Sequence, residues 1–215
     1  MRLAELSDRS GVSTATIKYY LRERLLPAGH RITATQSEYD EGHLRRLRLI
    51  RALIQVGRMP VSTAREVLAA VEDGSLDQLS RLGVAVEALP HGPEPDESSP
   101  STAVARRTAA ELLRQCGWRF NLEIAESSRA FGMLVAAIAA LHRLGYACDT
   151  PHLLPYAQQA AQLAVADLDL VEEFATPAEQ VEAAVALTVL YEPVLLSLRR
   201  LAEAEESNKR YGSGS

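Results

Sequence analysis

The stretch LAELSDRSGVSTATIKYYLRERLL, residues 3–26, constrains the fold of this chain more than any other part of it. Its apolar side chains are spaced so that two short helices, over residues 2–9 and 14–24, share one inner face. Gly11 permits a positive φ between the two helices, and Ser13 is a favourable N-cap for the second one. This arrangement predicts a helix-turn-helix.

The second of these helices carries side chains that suit DNA. Small hydroxylated residues at its start allow close approach to base edges, and the cationic and phenolic groups further along suit phosphates. The predicted DNA-binding residues of this helix are Ser13, Thr14, Thr16, Lys18, Tyr19, Tyr20 and Arg22. The pattern alone leaves one alternative open, an ordinary helical hairpin with a glycine turn.

The same stretch resembles the N-terminal signature of MerR-family transcription regulators. The matching residues are Leu3, Glu5, Leu6, Gly11, Val12, Ser13, Thr16, Ile17, Tyr19, Tyr20, Arg22, Leu25 and Leu26. The resemblance implies a winged helix-turn-helix that binds double-stranded promoter DNA as a homodimer. An activator of this kind would also have RNA polymerase as a partner.

Residues 27–39, PAGHRITATQSEY, predict a small β-hairpin or an irregular wing. In MerR-like proteins the wing touches the DNA backbone, commonly through an Arg two residues before a Tyr. Ser37 stands in that Arg position here, so we expect neutral hydrogen bonds instead. The predicted wing contacts are Arg31, Thr35, Gln36, Ser37 and Tyr39.

A third helix is predicted over residues 41–57, with Asp40 as its N-cap. Four arginines lie on its polar side, and we predict that Arg45 and Arg46 reach phosphate groups. A solvated helix face is the alternative reading of such a charge run. A fourth helix over residues 63–72 completes a domain of MerR-like spacing.

The charge of the chain is unevenly distributed. The net charge is −5, yet residues 1–65 hold 12 Lys or Arg against 6 Asp or Glu. The remainder holds 11 against 22. The excess of positive charge therefore lies in the part that would face phosphates.

The predicted fold is mainly α, with a small β wing and four segments. Residues 1–75 form the DNA-binding domain, 76–101 a short helix and a linker rich in Pro, Ser and acidic residues, 102–211 an all-helical dimerisation and effector domain, and 212–215 a flexible tail. In outline the third segment is similar to the ligand-binding and dimerisation domain of TetR-type regulators. Whether the dimer forms through residues 76–89 or through the helical domain stays open.

An effector site in the helical domain would be lined by its few bulky or polar side chains. The candidates are Trp118, Phe131, His142, Tyr146, Tyr156 and Tyr191, for each of which ordinary packing is the alternative. Cys116 and Cys148 are expected to be reduced, and neither has metal-ligand spacing. We expect no metal and no cofactor.

The remaining sequence features bound the function. The charged N-terminus is unlike a signal peptide, and no uncharged stretch predicts a membrane span, so we expect a cytoplasmic protein. No catalytic constellation is present, so an enzyme is not expected. The favoured function is a ligand-responsive transcription regulator. The alternatives are a drug-sequestering protein that regulates its own gene and an excisionase-like DNA-bending protein.

Overall fold

The computed structural model describes residues 1–33, 36–90 and 92–212. The chain forms two compact units, which are Met1–Ala88 together with the chain from Phe174 onward, and Leu89–Glu173. The chain is mostly helical, with a two-stranded antiparallel sheet in its described part. The predicted fold class, mainly α with a small β element, is confirmed.

The first unit contains the helix-turn-helix and the elements packed on it. Its elements are α1 (Leu3–Ser10), α2 (Thr14–Arg22), β1 (His30–Arg31), β2 (Ser37–Glu38), α3 (Glu41–Arg51), α4 (Val61–Glu72), α5 (Gln78–Glu87) and α10 (Pro177–Tyr211). Helix α3 continues as a π-helical turn, Ala52–Val56. Its core consists of fully buried side chains that include Leu6, Ile17, Leu25, Leu44, Leu47, Ile50, Leu53 and Leu68.

The second unit is a helical cluster centred on α6. Its elements are α6 (Pro100–Gln115), α7 (Arg119–Glu123), α8 (Arg129–Arg143) and α9 (Thr150–Glu172). Helix α6 packs against the other three, mainly against α8. The core is built from small and branched side chains, namely Ala105, Ala109, Val135, Ile138 and Ala139. Such small residues allow the helix backbones to approach closely.

Helix N-caps largely follow the sequence signals. Ser13 and Asp40 each accept a hydrogen bond from the backbone N–H three residues later, as predicted, and Thr176 does the same at the start of α10. The N-cap of α9 is Asp149, which accepts the His152 backbone N–H. Helix α10 runs through Pro193 without a break.

Asp40 gives the first unit a pH-dependent element. Its Oδ1 accepts the His43 backbone N–H at 3.0 Å and lies 2.6 Å from His43 Nδ1. These hydrogen bonds lower the pKa of Asp40 from 3.8 to about 2. The ionised carboxylate therefore stabilises the fold fully above pH 3.8, and this contribution is lost as the pH falls through 2.

Replacing Asp40 with Asn should therefore reduce stability at neutral pH and leave it little changed near pH 2. Asn retains the N-cap, and the Asp40 side chain is largely exposed, so the loss should stay below about 1 kcal/mol. Urea unfolding of both chains between pH 2 and pH 7 measures the difference. A difference that grows as the pH falls would contradict this role for Asp40.

The compact units differ from the predicted segments, because α5 and α10 both belong to the first unit. Helix α10 packs against α4, α5 and the π-helical turn, and Gln78 Nε2 donates to Gln180 Oε1 at 2.7 Å. At Gly57 a Cβ atom would lie 2.6 Å from Val189 Cγ1. Only a glycine therefore permits this close approach of α10 to the end of the π-helical turn.

Helix α10 also contains a strongly apolar stretch. By length and composition it is the one described helix that could cross a membrane, with a mean hydropathy of 1.7 over its best window. One such helix is weak support for a membrane location. Residues such as Val181 and Val185 are buried in the first unit, which accounts for part of this apolar character.

Candidate nucleic-acid interface

The turn between α1 and α2 is fixed from three directions. Gly11 ends α1 in the left-handed conformation with φ 65°, and Ser13 Oγ accepts the Thr16 backbone N–H at 3.1 Å. Arg51, on α3, donates from Nη1 to the Ser10 carbonyl oxygen at 2.8 Å. The start of α2 is therefore held in place by the turn, by its own cap and by a neighbouring helix.

Helix α2 separates its side chains into a buried and an exposed face. Ile17 is fully buried beneath it. Ser13, Thr14, Lys18 and Arg22 are exposed, whereas Thr16 is half-buried and shares a 2.8 Å hydrogen bond between hydroxyls with Ser13. The exposed face thus presents hydroxyls at the helix N-terminus and cations one and two turns later, an arrangement that suits base edges and phosphates.

The two tyrosines of α2 have different environments. Tyr19 is half-buried, and the Arg22 guanidinium lies 5.3 Å from its ring centroid, a cation–π distance. Tyr20 is only 4% exposed, and burial raises the pKa of its hydroxyl. The prediction of Tyr20 as a phosphate contact is therefore corrected, because its ring belongs to the core beneath α2.

The end of α2 is held by a residue that the sequence interpretation missed. Arg65, on α4, donates from Nε to the Glu23 carbonyl oxygen at 3.0 Å and from Nη2 to Glu23 Oε2 at 3.1 Å. Arg51 performs the equivalent role at the other end of the helix. Neither role has a local sequence signal, because each bond joins residues about 40 positions apart.

The β1–β2 pair occupies the position of the predicted wing. His30 pairs with Glu38 and Arg31 with Ser37 in antiparallel register. Arg31 is exposed, and Gln36 and Ser37 are half-buried. Thr35, also a predicted contact, lies outside the described residues. Arg31 is thus the exposed cation that this segment offers to a phosphate.

Tyr39 has a structural position at the base of the wing. Its backbone N–H donates to the Met1 carbonyl oxygen at 2.7 Å, and its ring packs edge-on against His43. The side chain is buried, so the prediction that Tyr39 contacts DNA is corrected. Gly29 is required beside it, because a Cβ atom there would lie 2.6 Å from the Glu38 carbonyl oxygen.

The two arginines predicted to reach phosphate from α3 have separate roles. Arg45 is half-exposed and forms an ion pair with Glu179 at 3.3 Å. Arg46 is 5% exposed, donates to the Leu25 and Leu68 carbonyl oxygens, and pairs with Glu72 at 3.1 Å. The prediction for Arg46 is corrected, since every observed bond of its guanidinium is internal.

The predicted effector residues do not form the cleft that the second unit presents. This cleft, of about 310 Å³, is lined by Glu94, Glu97, Arg106, Glu126 and Met133 among others, and by none of the six candidates. Phe131 packs against the core of the second unit. Trp118 is half-buried, while His142, Tyr146 and Tyr156 are exposed, and Tyr191 belongs to α10 of the first unit.

Comparisons with known proteins agree with the geometry of the first unit. The family model described as MerR HTH family regulatory protein matches residues 1–71. The crystal structure of the candidate transcriptional regulator SCO5550 from Streptomyces coelicolor A3(2) is similar at 51% sequence identity, with a TM-score of 0.85 and 100% of each chain covered. No curated protein matches the chain.

The family match spans the helix-turn-helix and the wing segment, and the structural similarity extends over the whole chain. A DNA-binding transcription regulator is the function common to both observations. The chain belongs to the MerR family of regulators, with its DNA-binding domain at residues 1–71.

Proposed function

We propose that this protein is a homodimeric regulator that binds specific sequences in double-stranded promoter DNA through α2. The exposed face of α2 carries the proposal, because it combines N-terminal hydroxyls with Lys18 and Arg22 further along. An α-helix fits the major groove, where each base pair presents a distinct pattern of donors and acceptors. Ser13 and Thr14 would read base edges, while Lys18 and Arg22 would bind phosphates.

The charge distribution supports this orientation. Residues 1–65 hold 12 Lys or Arg against 6 Asp or Glu, in a chain whose net charge is −5. A local positive field attracts the phosphate backbone even when the whole protein is acidic. Arg31 of the wing would add a further phosphate contact.

Two substitutions on α2 separate positioning from sequence readout. Arg22→Ala should weaken binding to all duplexes by a similar factor and reduce the salt dependence by about one unit of slope. Thr14→Ala should change the preference among duplexes by about 1 kcal/mol at one base position. Fluorescence anisotropy with duplexes selected from a random library measures both effects.

Arg107→Ala provides the matched control, because it removes an exposed arginine from α6 in the second unit. The affinity of the Arg107→Ala variant for every duplex should equal that of the unchanged chain. Equal affinity of the Arg22 variant and the unchanged chain would contradict the proposed orientation of α2.

We further propose that the dimer forms through α10. Tyr191, Val194, Leu198 and Leu201 follow one another at spacings of three and four residues, the pattern of a coiled-coil seam. From Tyr191 onward these side chains are 43% exposed or more. Only the short helix α5 follows the DNA-binding domain directly, so the last helix of the chain would supply the longer dimerisation surface.

A small-molecule effector, a cytoplasmic location and the absence of enzymatic activity complete the proposal. An effector that binds near α10 would act on the helix that packs against the π-helical turn of α3. If the regulator activates transcription, RNA polymerase would be a further partner.

A further inference from the structure

A groove in the first unit lies between α3, its π-helical turn and α10. Its volume is about 200 Å³, and most of its lining is apolar. The apolar floor is formed by Leu49, Ala52, Ala183, Ala186, Leu187 and Leu190. Arg45 and Arg48 line it from α3, and Glu179 and Glu182 line it from α10.

The charged groups of this groove differ in whether they have an ion-pair or hydrogen-bond partner. Arg45 and Glu179 form an ion pair at 3.3 Å. Glu182 is half-buried, and its carboxylate has no hydrogen bond or ion pair with any other described residue. Burial raises the pKa of Glu182, although Arg45 and Arg46 act in the opposite direction. Its carboxylate is therefore partly dehydrated and has no hydrogen-bond donor among the described residues.

The position of Glu182 decides which ligand chemistry the groove favours. A hydrogen-bond donor gains more binding free energy from a partly dehydrated carboxylate beside apolar walls than from an exposed charge. Arg48 is exposed, so an anion would gain little from it. Arg45 is neutralised by Glu179 and opposes a bound cation only weakly.

We propose that this groove binds a small amphipathic amine. The apolar body of the amine would lie on Leu49, Leu187 and Leu190, and its ammonium group would donate to the Glu182 carboxylate. The groove is smaller than the usual ~300 Å³ lower limit of a drug-sized site, so a single short chain or ring is expected. Any effect of the amine on DNA binding rests on the proposed function, whereas its binding does not.

Three probes with the same apolar chain separate the headgroup from the body. Isothermal titration of the full chain with n-octylammonium, 1-octanol and octanoate should show the tightest binding for the ammonium, by about tenfold. Glu182→Gln should weaken n-octylammonium binding by about tenfold and leave 1-octanol unchanged. Glu192→Gln, an exposed acid on the same helix, is the matched control and should change neither.

Methyl NMR of Leu49, Leu187 and Leu190 locates the bound amine, since these resonances should shift on titration. Equal affinity of the three probes, or an unchanged Glu182→Gln variant, would overturn the proposal. Tighter binding of octanoate would overturn it in favour of an anionic ligand. Absence of binding, as expected if a second copy covers the groove, would also overturn it. DNA affinity measured without probe tests the proposed function separately.

Discussion

Replacing Arg46 with Met is expected to lower the free energy of unfolding by about 3 kcal/mol, a typical cost of breaking a buried charge network. Arg46 Nε donates to the Leu25 carbonyl oxygen at 2.9 Å, and Nη1 donates to the Leu68 carbonyl oxygen at 3.3 Å. Its ion pair with Glu72 lies at the edge of this network. Met conserves the aliphatic stem but removes the guanidinium donors from both carbonyl groups.

The neighbouring arginine provides a matched control. Arg45→Met removes the same charge one residue earlier, from a half-exposed side chain with a single ion pair. Arg45→Met should lower the free energy of unfolding by less than about 1 kcal/mol. Urea unfolding with unchanged m-values measures both variants. Equal losses for the two variants would show that the Arg46 network does not stabilise the first unit.

The second large effect is expected on α10. Val194→Glu with Leu198→Glu places two charges on the proposed seam, where dimerisation would bury them without partners. The dimer dissociation constant should rise by more than about 100-fold, because each buried unpaired charge costs several kcal/mol. Both side chains are exposed in the single chain, so the monomer should keep its fold. Sedimentation velocity at several concentrations measures the change.

Leu196→Glu controls for the added charge. Leu196 lies on the same helix and is 47% exposed, similar to Val194 at 45%, but its position is about 160° around the helix from Leu198. Its variant should sediment like the unchanged chain. A double variant that remains a dimer would place the interface elsewhere, for example on α5 or in the second unit.

Much of the first unit could be predicted because its signals are local. Gly11 and Ser13 mark the turn, and Asp40 marks the start of α3. Their conformations and caps appear in the structure as expected. Such features depend on backbone conformation and on hydrogen bonds within four residues, which a short stretch of sequence specifies.

The remaining features depend on contacts between distant parts of the chain. Arg45 and Arg46 are adjacent arginines on the same helix and look alike in the sequence. Only tertiary packing makes Arg46 buried and leaves Arg45 half-exposed. The packing of Val189 against Gly57 brings together residues more than 130 positions apart in the sequence. No local pattern indicates that the last helix packs on the DNA-binding domain.

The candidate sites show the same limit. An aromatic residue such as Phe131 suits both a pocket and a core, and the sequence pattern does not distinguish the two. The groove that contains Glu182 was not predicted, since its two walls come from α3 and α10. A half-buried carboxylate without a partner is visible only once both walls are in place.

Sequence-specific DNA binding can be tested by anisotropy titration of the full chain with two duplexes. One duplex is enriched from a random library, and the other is a shuffled duplex of the same composition. We expect at least about 10³-fold tighter binding to the enriched duplex, with affinity for both duplexes falling as the salt concentration rises. Equal affinity for the two duplexes, or a selection that enriches no sequence, would contradict this expectation.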